Sequence, residues 1–401
     1  MKVLQINAVS GIMSTGRTTN EIADYLNNNG HEGYIAYSEG LPYEKGYKIG
    51  TQLEKKLHAL CSRIFGKQAY YSKKGTKNLI KYIGQIKPDI VHLRNLHSNY
   101  INLGMLLEYL SKEDIPTVVT LHDCWFYTGK CTHYTIENCY KWKTECDKCP
   151  QLKKDNKSWF FDYTNKMFRD KKEWFNKIPR LAVVGVSDWI TNEAKSSFLS
   201  SASIITRIYN WIDLEVFKPV STNKKEQISG IKDKFIILGV ASGWTNEKGL
   251  NKFIELSKLI QEDKVILLIG RMKKNIKLPY NIIHIDETHD VNELVEYYSM
   301  ADVFVNLSVQ ESFGKVTAEA LACGTPVIVF NSTANPELVG YRCGYVVENN
   351  EITSILKYIK VVQRKGKAFY SDYCIKYAKD NFCKDNRIKD YINLYKKLKF
   401  G

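Results

Sequence analysis

Short apolar runs of strand length alternate with longer amphipathic stretches through most of the chain, and this alternation restricts the fold more than any other feature. Runs such as Lys2 to Ala8 and Thr117 to His122 are too short for buried helices but have the length of strands. The stretch from Arg17 to Asn28 instead carries apolar residues at helical spacing. Strands separated by helices predict an α/β fold with parallel sheets.

The alternation is interrupted once, by a polar segment, and then starts again. A chain of 401 residues is long enough for two domains of ordinary size. We therefore predict an N-terminal domain over residues 1–208 with a cysteine-rich insertion at 124–150, a linker over 209–230, a C-terminal domain over 231–383 and an amphipathic helix over 384–401. Ligands of such sheets bind beyond the carboxyl ends of the strands, so two facing domains are expected to enclose a cleft.

The net charge of +15 favours anionic partners. Nucleic acid, anionic lipid and phosphorylated metabolites all fit this charge. The basic residues are spread along the chain without an RNA-binding aromatic signature, which argues against nucleic acid. The apolar runs are far shorter than the roughly 18 residues of a membrane span, and the N-terminus is too polar for a secretory signal. We expect a cytoplasmic protein.

The segment from Ser308 to Pro326 carries the most informative spacing. Glu311 and Glu319 are eight residues apart, which on one continuous helix places both carboxylates on roughly the same side. The backbone N–H groups at the start of that helix favour a phosphate. A nucleotide-diphosphate-sugar would fit along such a helix, with one carboxylate on the sugar and the other on the ribose. Two solvated glutamates are the alternative that spacing alone leaves open.

With its following Ala-Cys-Gly-Thr-Pro-Val-Ile segment, this Glu-x7-Glu element resembles that of glycosyltransferase family 4. Further segments resemble the same family: the loop ending at Gly16, Thr120 to Asp123, Tyr209 to Asp213, the pair Lys248-Gly249 and the closing helix. Its members are retaining sugar transferases. The resemblance implies an α/β GT-B fold: two facing Rossmann-like domains, with the C-terminal helix crossing back to the first.

The resemblance also implies roles for individual residues. The catalytic residues are expected to be His122, which supports the transition state, and Glu311, which contacts the transferred sugar. The expected donor-binding residues are Gly16, Ser242, Lys248, Phe313, Gly314, Lys315 and Glu319. Apart from the resemblance, Asp123 and the residues Arg94, Asn95 and His97 come at or after the carboxyl ends of predicted strands, and we expect the acceptor side at Asp123, Arg94 and His97, with Asn95 as a further candidate.

One position departs from the family pattern. Family members commonly carry a second cation five residues before the lysine that corresponds to Lys248, and this chain has Gly243 there. The diphosphate clamp is therefore expected to be weaker, unless Arg271 or Lys315 compensates.

The glycine-bearing loop Gly11 to Thr18 nearly matches a nucleoside-triphosphatase phosphate loop. Arg17 stands where that motif requires a lysine, and no later acidic strand end completes it. A triphosphatase is therefore disfavoured.

Four cysteines, Cys131, Cys139, Cys146 and Cys149, cluster in a segment with few aliphatic residues. Four thiolates suit tetrahedral Zn²⁺, with His133 as a substitute ligand. Free thiols, or a redox or catalytic pair, are the alternatives. We predict a structural zinc at this cluster and no cofactor required for catalysis.

Together these observations predict a hexosyltransferase of bacterial capsular, exopolysaccharide or lipopolysaccharide synthesis. The expected donor is a nucleotide-diphosphate-sugar, with UDP favoured over GDP. The other expected partners are a lipid-linked or oligosaccharide acceptor and the anionic inner face of the plasma membrane. Two rivals stay open: a nucleotide-sugar epimerase on the same fold, and a non-catalytic glycan-binding or partner-binding module.

Overall fold

The computed structural model describes residues 1–288, 290–348 and 351–400. They form two compact units, one from Met1 to Ile208 together with the chain from Ile388 onward, the other from Tyr209 to Arg387. The first unit thus reaches Ile208, and the second begins at Tyr209.

The first unit is built on a parallel sheet. Its strands are β1 Lys2–Ser10, β2 Glu32–Gly40, β3 Gly46–Lys48, β4 Ile90–Leu93, β5 Thr117–Leu121, β6 Leu181–Gly185 and β7 Ile204–Arg207. They are ordered β3-β2-β1-β4-β5-β6-β7. The helices of this unit are α1 Met13–Asn28, α2 Gln52–Phe65, α3 Lys73–Ile86, α4 Leu103–Lys112, α5 Thr164–Asn176 and α6 Asp188–Lys195.

The second unit repeats this architecture. Its strands are β8 Phe235–Gly243, β9 Lys264–Arg271, β10 Ile282–Ile285, β11 Val303–Asn306, β12 Val327–Phe330 and β13 Gly344–Val347, in the order β10-β9-β8-β11-β12-β13 and also parallel. Its helices are α7 Lys224–Gln227, α8 Leu250–Ser257, α9 Val291–Met300, α10 Lys315–Ala322, α11 Ile352–Lys365 and α12 Ala368–Phe382.

The apolar runs of the sequence become the buried central strands. Ile6 of β1 pairs with Ala36 on one side and with Leu93 of β4 on the other, and all three are buried. A strand covered by helices on both faces needs apolar residues on both, which explains why these runs lack polar alternation. The prediction of two parallel α/β domains is confirmed.

The last helix, α13 Lys384–Phe400, begins in the second unit and joins the first from Ile388 onward. Its inward tyrosines reach the centre of the first sheet: Tyr395 Oη lies 2.7 Å from His92 Nδ1, and Tyr391 Oη lies 3.0 Å from Thr120 Oγ1. The predicted return of the C-terminal helix to the N-terminal domain is confirmed.

Two sequence predictions differ from the structure in extent. The predicted linker contains α7, and its residues group with the second unit. The helix expected to carry both Glu311 and Glu319 starts only at Lys315, because Gly314 in left-handed conformation forms its N-cap. Within the described ranges, no helix combines the length and apolarity needed to cross a bilayer.

Candidate active site

In the second unit, Lys248 and Glu311 form a direct ion pair. Lys248 Nζ lies 2.6 Å from Glu311 Oε1, and both side chains are partly accessible. Lys248 lies in the loop between β8 and α8, and Glu311 in the loop between β11 and α10. Because β8 and β11 are adjacent parallel strands, these loops leave the same edge of the sheet.

Close packing of the two loops explains why the pair forms. Gly249 follows Lys248 with a φ of +82°, and a Cβ there would lie 2.5 Å from the Cβ of Leu307. Only glycine allows this approach. The backbone N–H of Val309 also donates to the carbonyl of Glu247 over 3.1 Å. The predicted sugar contact and the predicted phosphate contact are thus brought together.

A third loop holds the backbone of Glu311. Its N–H donates to Thr333 Oγ1 over 2.7 Å, and its carbonyl accepts from the N–H of Ala334. Thr333 and Ala334 follow β12, so three neighbouring strand ends support this glutamate. The position of its carboxylate is therefore set by the sheet.

Glu319 lies inside α10 and Glu311 lies before it. The argument that both occupy one continuous helix is therefore wrong, because the helix begins four residues after Glu311. Glu319 is buried and accepts a hydrogen bond of 2.9 Å from Tyr298 Oη. Burial, together with the charge and hydrogen bond of Glu319, raises the pKa of Tyr298, so this phenol stays a donor.

The predicted donor-binding residues around Gly314 divide into two groups. Phe313 is buried, and its ring packs on Phe382 with centroids 5.4 Å apart. Its ring is part of the core, and its predicted donor contact stays a prediction. Gly314 caps α10 and Lys315 is its first residue. The first N–H groups of a helix have no acceptor within it, so they are available to a phosphate.

Arg271 stands next to the position where the family cation is missing. It ends β9 directly opposite Gly243 of β8, and its Nε donates to the carbonyl of Ser242 over 3.1 Å. Its side chain is largely exposed and also pairs with Glu287 at 3.2 Å. Ser242 is itself exposed. A cation is thus present at this strand edge, supplied by the neighbouring strand.

In the first unit, His122 directly follows β5 and is held by Arg94. Arg94 Nη2 donates to His122 Nε2 over 3.1 Å and to Thr18 Oγ1 over 2.7 Å, and Nη1 donates to Gln5 Oε1 over 3.2 Å. A guanidinium has only donors, so His122 Nε2 accepts and Nδ1 carries the proton. Burial and the charge of Arg94 lower the pKa of His122 to about 3, so the ring is neutral.

The side chain of Arg94 is only 1% exposed and is directed at His122 and α1. Its predicted acceptor-side role stays a prediction. Arg94 positions His122 and fixes its tautomer. Sequence reasoning missed Thr18 and Gln5, which hold the guanidinium; no spacing in the sequence connects them to Arg94.

His97 and Asp123, both predicted on the acceptor side, form an ion pair. His97 Nε2 lies 2.9 Å from Asp123 Oδ2, and the N–H of Trp125 donates to Asp123 Oδ1 over 2.8 Å. Burial opposes charge on both groups, but their attraction outweighs it: the pKa of His97 is raised and that of Asp123 is lowered. The attraction therefore favours the charged form of each partner.

Gly16 lies within α1 and is buried, not in the preceding loop as predicted. A Cβ there would lie 3.2 Å from the N atom of Gly11. Gly16 brings α1 close to the end of β1, and its predicted contact with the donor stays a prediction.

Two profiles of known protein families match the chain, one over each unit. The profile described as Glycosyltransferase Family 4 matches residues 15–216, and the profile described as Glycosyl transferases group 1 matches residues 221–381. The chain belongs to glycosyltransferase family 4. It is accordingly a glycosyltransferase of the GT-B fold.

Three distant relatives of this family 4 glycosyltransferase each cover more than three quarters of its length. A protein of Escherichia coli K12 named for glycosyl transfer in colanic acid biosynthesis, WcaC, is 23% identical over 328 residues, or 78% of this chain and 77% of that protein. The crystal structure of HepE from Anabaena with UDP superposes with a TM-score of 0.67 at 14% identity, covering 99% of this chain and 100% of that one. That of WaaG, a glycosyltransferase involved in lipopolysaccharide biosynthesis, gives 0.64 at 14% identity, covering 96% and 98%.

The zinc prediction for this glycosyltransferase is not supported. In the part of the chain that the structure describes, no group of three or more His, Cys, Asp or Glu is placed to hold a metal ion. Cys131 Sγ and Cys149 Sγ lie 4.0 Å apart, but Cys146 Sγ accepts from the N–H of Gly129 over 3.3 Å. Sequence spacing brings thiols into one segment, whereas a metal site also needs all the sulfur atoms to converge on one point.

Proposed function

We propose that this chain transfers a hexose-type sugar, with retention of configuration, from a nucleotide-diphosphate-sugar to a hydroxyl of a lipid-linked or oligosaccharide acceptor. The observation that carries the proposal is the Lys248–Glu311 ion pair at 2.6 Å, beside the start of α10. A cation, a carboxylate and free helix N–H groups suit a diphosphate that is linked to a sugar.

In this proposal each group of the second unit has a separate task. Lys248, Arg271 and the first N–H groups of α10 bind the diphosphate, Glu311 holds hydroxyls of the sugar, and Glu319 holds the ribose. In the first unit, neutral His122 donates through its Nδ1–H to the transferred sugar, and the His97–Asp123 pair lies on the acceptor side. The departing phosphate assists the incoming hydroxyl, so that no covalent nucleophile is required.

The donor and the pathway are inferred from similar proteins. HepE from Anabaena was crystallised with UDP-glucose, and that structure superposes with a TM-score of 0.65 at 14% identity, which favours a UDP-linked donor. WcaC, WaaG and CapM, a capsular polysaccharide biosynthesis glycosyltransferase of Staphylococcus aureus, are all named for bacterial surface glycans. We place this chain in the same class of pathway, at the cytoplasmic face of the membrane.

A panel of nucleotide-sugars tests the donor. Thermal stabilisation and donor turnover are measured for each member, and the anomeric configuration of the product is read by NMR. Retention with a UDP-sugar is expected. Conversion of the donor into an epimer without any acceptor would favour the epimerase, and lack of binding by any nucleotide would favour a non-catalytic module.

Two variants test the roles of the carboxylates. Glu311→Ala is expected to abolish turnover while UDP binding stays largely intact, because only the sugar loses its contact. Glu319→Ala is expected to weaken both, because the ribose belongs to the nucleotide. Equal loss of UDP affinity in the two variants would contradict this assignment.

A further inference from the structure

Helix α2 presents an apolar stripe to solvent and buries polar residues. Leu53, Leu57 and Leu60 follow one another at intervals of four and three residues and therefore share one face. Leu53 is 68% exposed and Leu57 is 52% exposed, whereas His58 on the inner side is 1% exposed. This is the reverse of a surface helix in a globular domain.

Polar contacts help to hold the inner face of α2. His58 Nδ1 lies 2.8 Å from Ser72 Oγ, and the N–H of Gly75 donates to Glu54 Oε1 over 2.9 Å. Thr51 caps the first turn and Gly66, in left-handed conformation, ends the helix. The exposed leucines are therefore not needed to attach the helix to the domain.

An aromatic loop continues the apolar surface beyond the end of α2. The N–H of Trp159 donates to the carbonyl of Arg63 over 2.6 Å, so the loop lies against the last turn of the helix. Phe160 is 70% exposed, and Phe65, Trp159 and Phe161 are each nearly half exposed. We call the exposed leucines of α2 together with these four aromatic residues the α2 apolar surface.

Basic residues border this surface. Lys56 and Arg63 lie exposed on α2 itself, while Lys154 and Lys157 line a groove together with Arg63 and Trp159. On the other side of the helix, Lys74 lines a second groove with Leu53 and Leu57. A bilayer with anionic headgroups complements such a border, because lysine and arginine bind the headgroups while leucine and aromatic side chains enter the boundary with the acyl chains.

We propose that the α2 apolar surface docks the protein on an anionic membrane. This inference rests on the proposed function and adds to it, because a lipid-linked acceptor is held at a membrane surface. It identifies the contact as α2 and residues 159–161 of the first unit. The contact is made by side chains that the fold leaves uncovered and does not require a spanning helix.

Cosedimentation with vesicles tests the proposal. Wild-type protein is expected to pellet with phosphatidylcholine vesicles containing about one-third phosphatidylglycerol, and much less with pure phosphatidylcholine. Leu57→Gln combined with Leu60→Gln is expected to weaken binding at least about tenfold, because buried apolar area is lost. Leu259→Gln changes a comparably exposed leucine of the second unit and serves as the matched control.

Charge reversal tests the electrostatic part of the proposal independently. Lys56→Glu combined with Arg63→Glu is expected to weaken binding at least about tenfold at roughly 0.1 M salt, and the difference is expected to shrink near 1 M because screening shortens the electrostatic range. Lys360→Glu, at an exposed site on α11, should bind as wild type does. Equal pelleting of all variants, or equal pelleting with both kinds of vesicle, would overturn the proposal.

Two measurements separate this proposal from its rivals and from the proposed function. If light scattering shows that wild type is a dimer and the leucine variant a monomer, the surface is an interface between copies and the membrane assignment fails. UDP binding by calorimetry is expected to be unchanged in every variant. Failure of wild type to bind any nucleotide would remove the proposed function without affecting the vesicle result.

Discussion

Lys248 and Glu311, which are 63 residues apart in the chain, lie in contact at 2.6 Å. The opposite charges of the two side chains compensate each other. If a diphosphate binds as proposed, it competes with Glu311 for Lys248. Binding would then exchange one charge-assisted contact for another.

This exchange predicts opposite effects of two substitutions on UDP affinity. Glu311→Gln is expected to leave UDP affinity unchanged or up to about tenfold tighter, because Lys248 is released, and to lower kcat at least about 100-fold. Lys248→Met is expected to weaken UDP binding about tenfold. Calorimetry and steady-state kinetics measure both. Weaker UDP binding by Glu311→Gln would show that the two residues do not compete in this way.

Arg94 is predicted to keep His122 neutral. The pKa of His122 is lowered from an ordinary 6.5 to about 3, so the unfolded state takes up a proton that the folded state resists. The free energy of unfolding therefore falls as the pH falls from about 6.5 towards 3. Arg94→Gln is expected to raise the pKa of His122 and reduce this dependence.

An NMR titration of His122 measures the effect directly. Arg94→Gln is also expected to lower kcat more than it changes KM, because the residue acts through His122. Arg180→Gln, at an exposed arginine that pairs with Asp114, is the control. An unchanged His122 titration in Arg94→Gln would refute the positioning role.

The His97–Asp123 pair is predicted to stabilise the fold most at pH values between the pKa of Asp123 and the pKa of His97. The pKa of His97 is raised, so its contribution to the free energy of unfolding is fully present below pH 6.5 and is lost as the pH rises through the pKa of the folded state. The pKa of Asp123 is lowered, so its contribution to the free energy of unfolding is fully present above pH 3.8 and is lost as the pH falls through the pKa of the folded state. Asp123→Asn is expected to cost about 1–3 kcal/mol at about pH 5.5.

Denaturant unfolding at several pH values checks this prediction. The cost of Asp123→Asn should decrease once the pH exceeds the folded pKa of His97. Glu173→Gln removes an exposed ion pair with Lys177 and should cost no more than about 0.5 kcal/mol. A cost for Asp123→Asn that is constant across the pH range would mean that the charge pair does not contribute.

Arg271 is predicted to replace the cation that is absent at Gly243. Arg271→Ala is expected to raise the donor KM about tenfold with a smaller change in kcat, since the diphosphate loses one charged contact. Gly243→Lys in that background should restore part of the affinity. An unchanged KM in Arg271→Ala would assign Arg271 to its contact with Glu287 instead.

Much of the fold follows from the sequence because buried parallel strands must be apolar on both faces. The runs at Lys2 to Ala8 and at Lys264 to Ile269 lie in the interior strands β1 and β9 for that reason. The inward positions of α13 follow from its 3.6-residue period. The edge strands β3, β7 and β13 were not predicted, since short edge strands carry weak apolar patterns.

The Glu-x7-Glu element and the resemblance to glycosyltransferase family 4 likewise come from the sequence alone, because motif residues near one another in the chain remain visible there. Tertiary structure alone decided which side chains meet across the sheet. Arg94 is buried against His122, and Phe313 packs on Phe382, because neighbouring strand ends and helices surround them. It also decided that the leucines of α2 face solvent, since burial depends on what packs against a helix and not on the helix's own period.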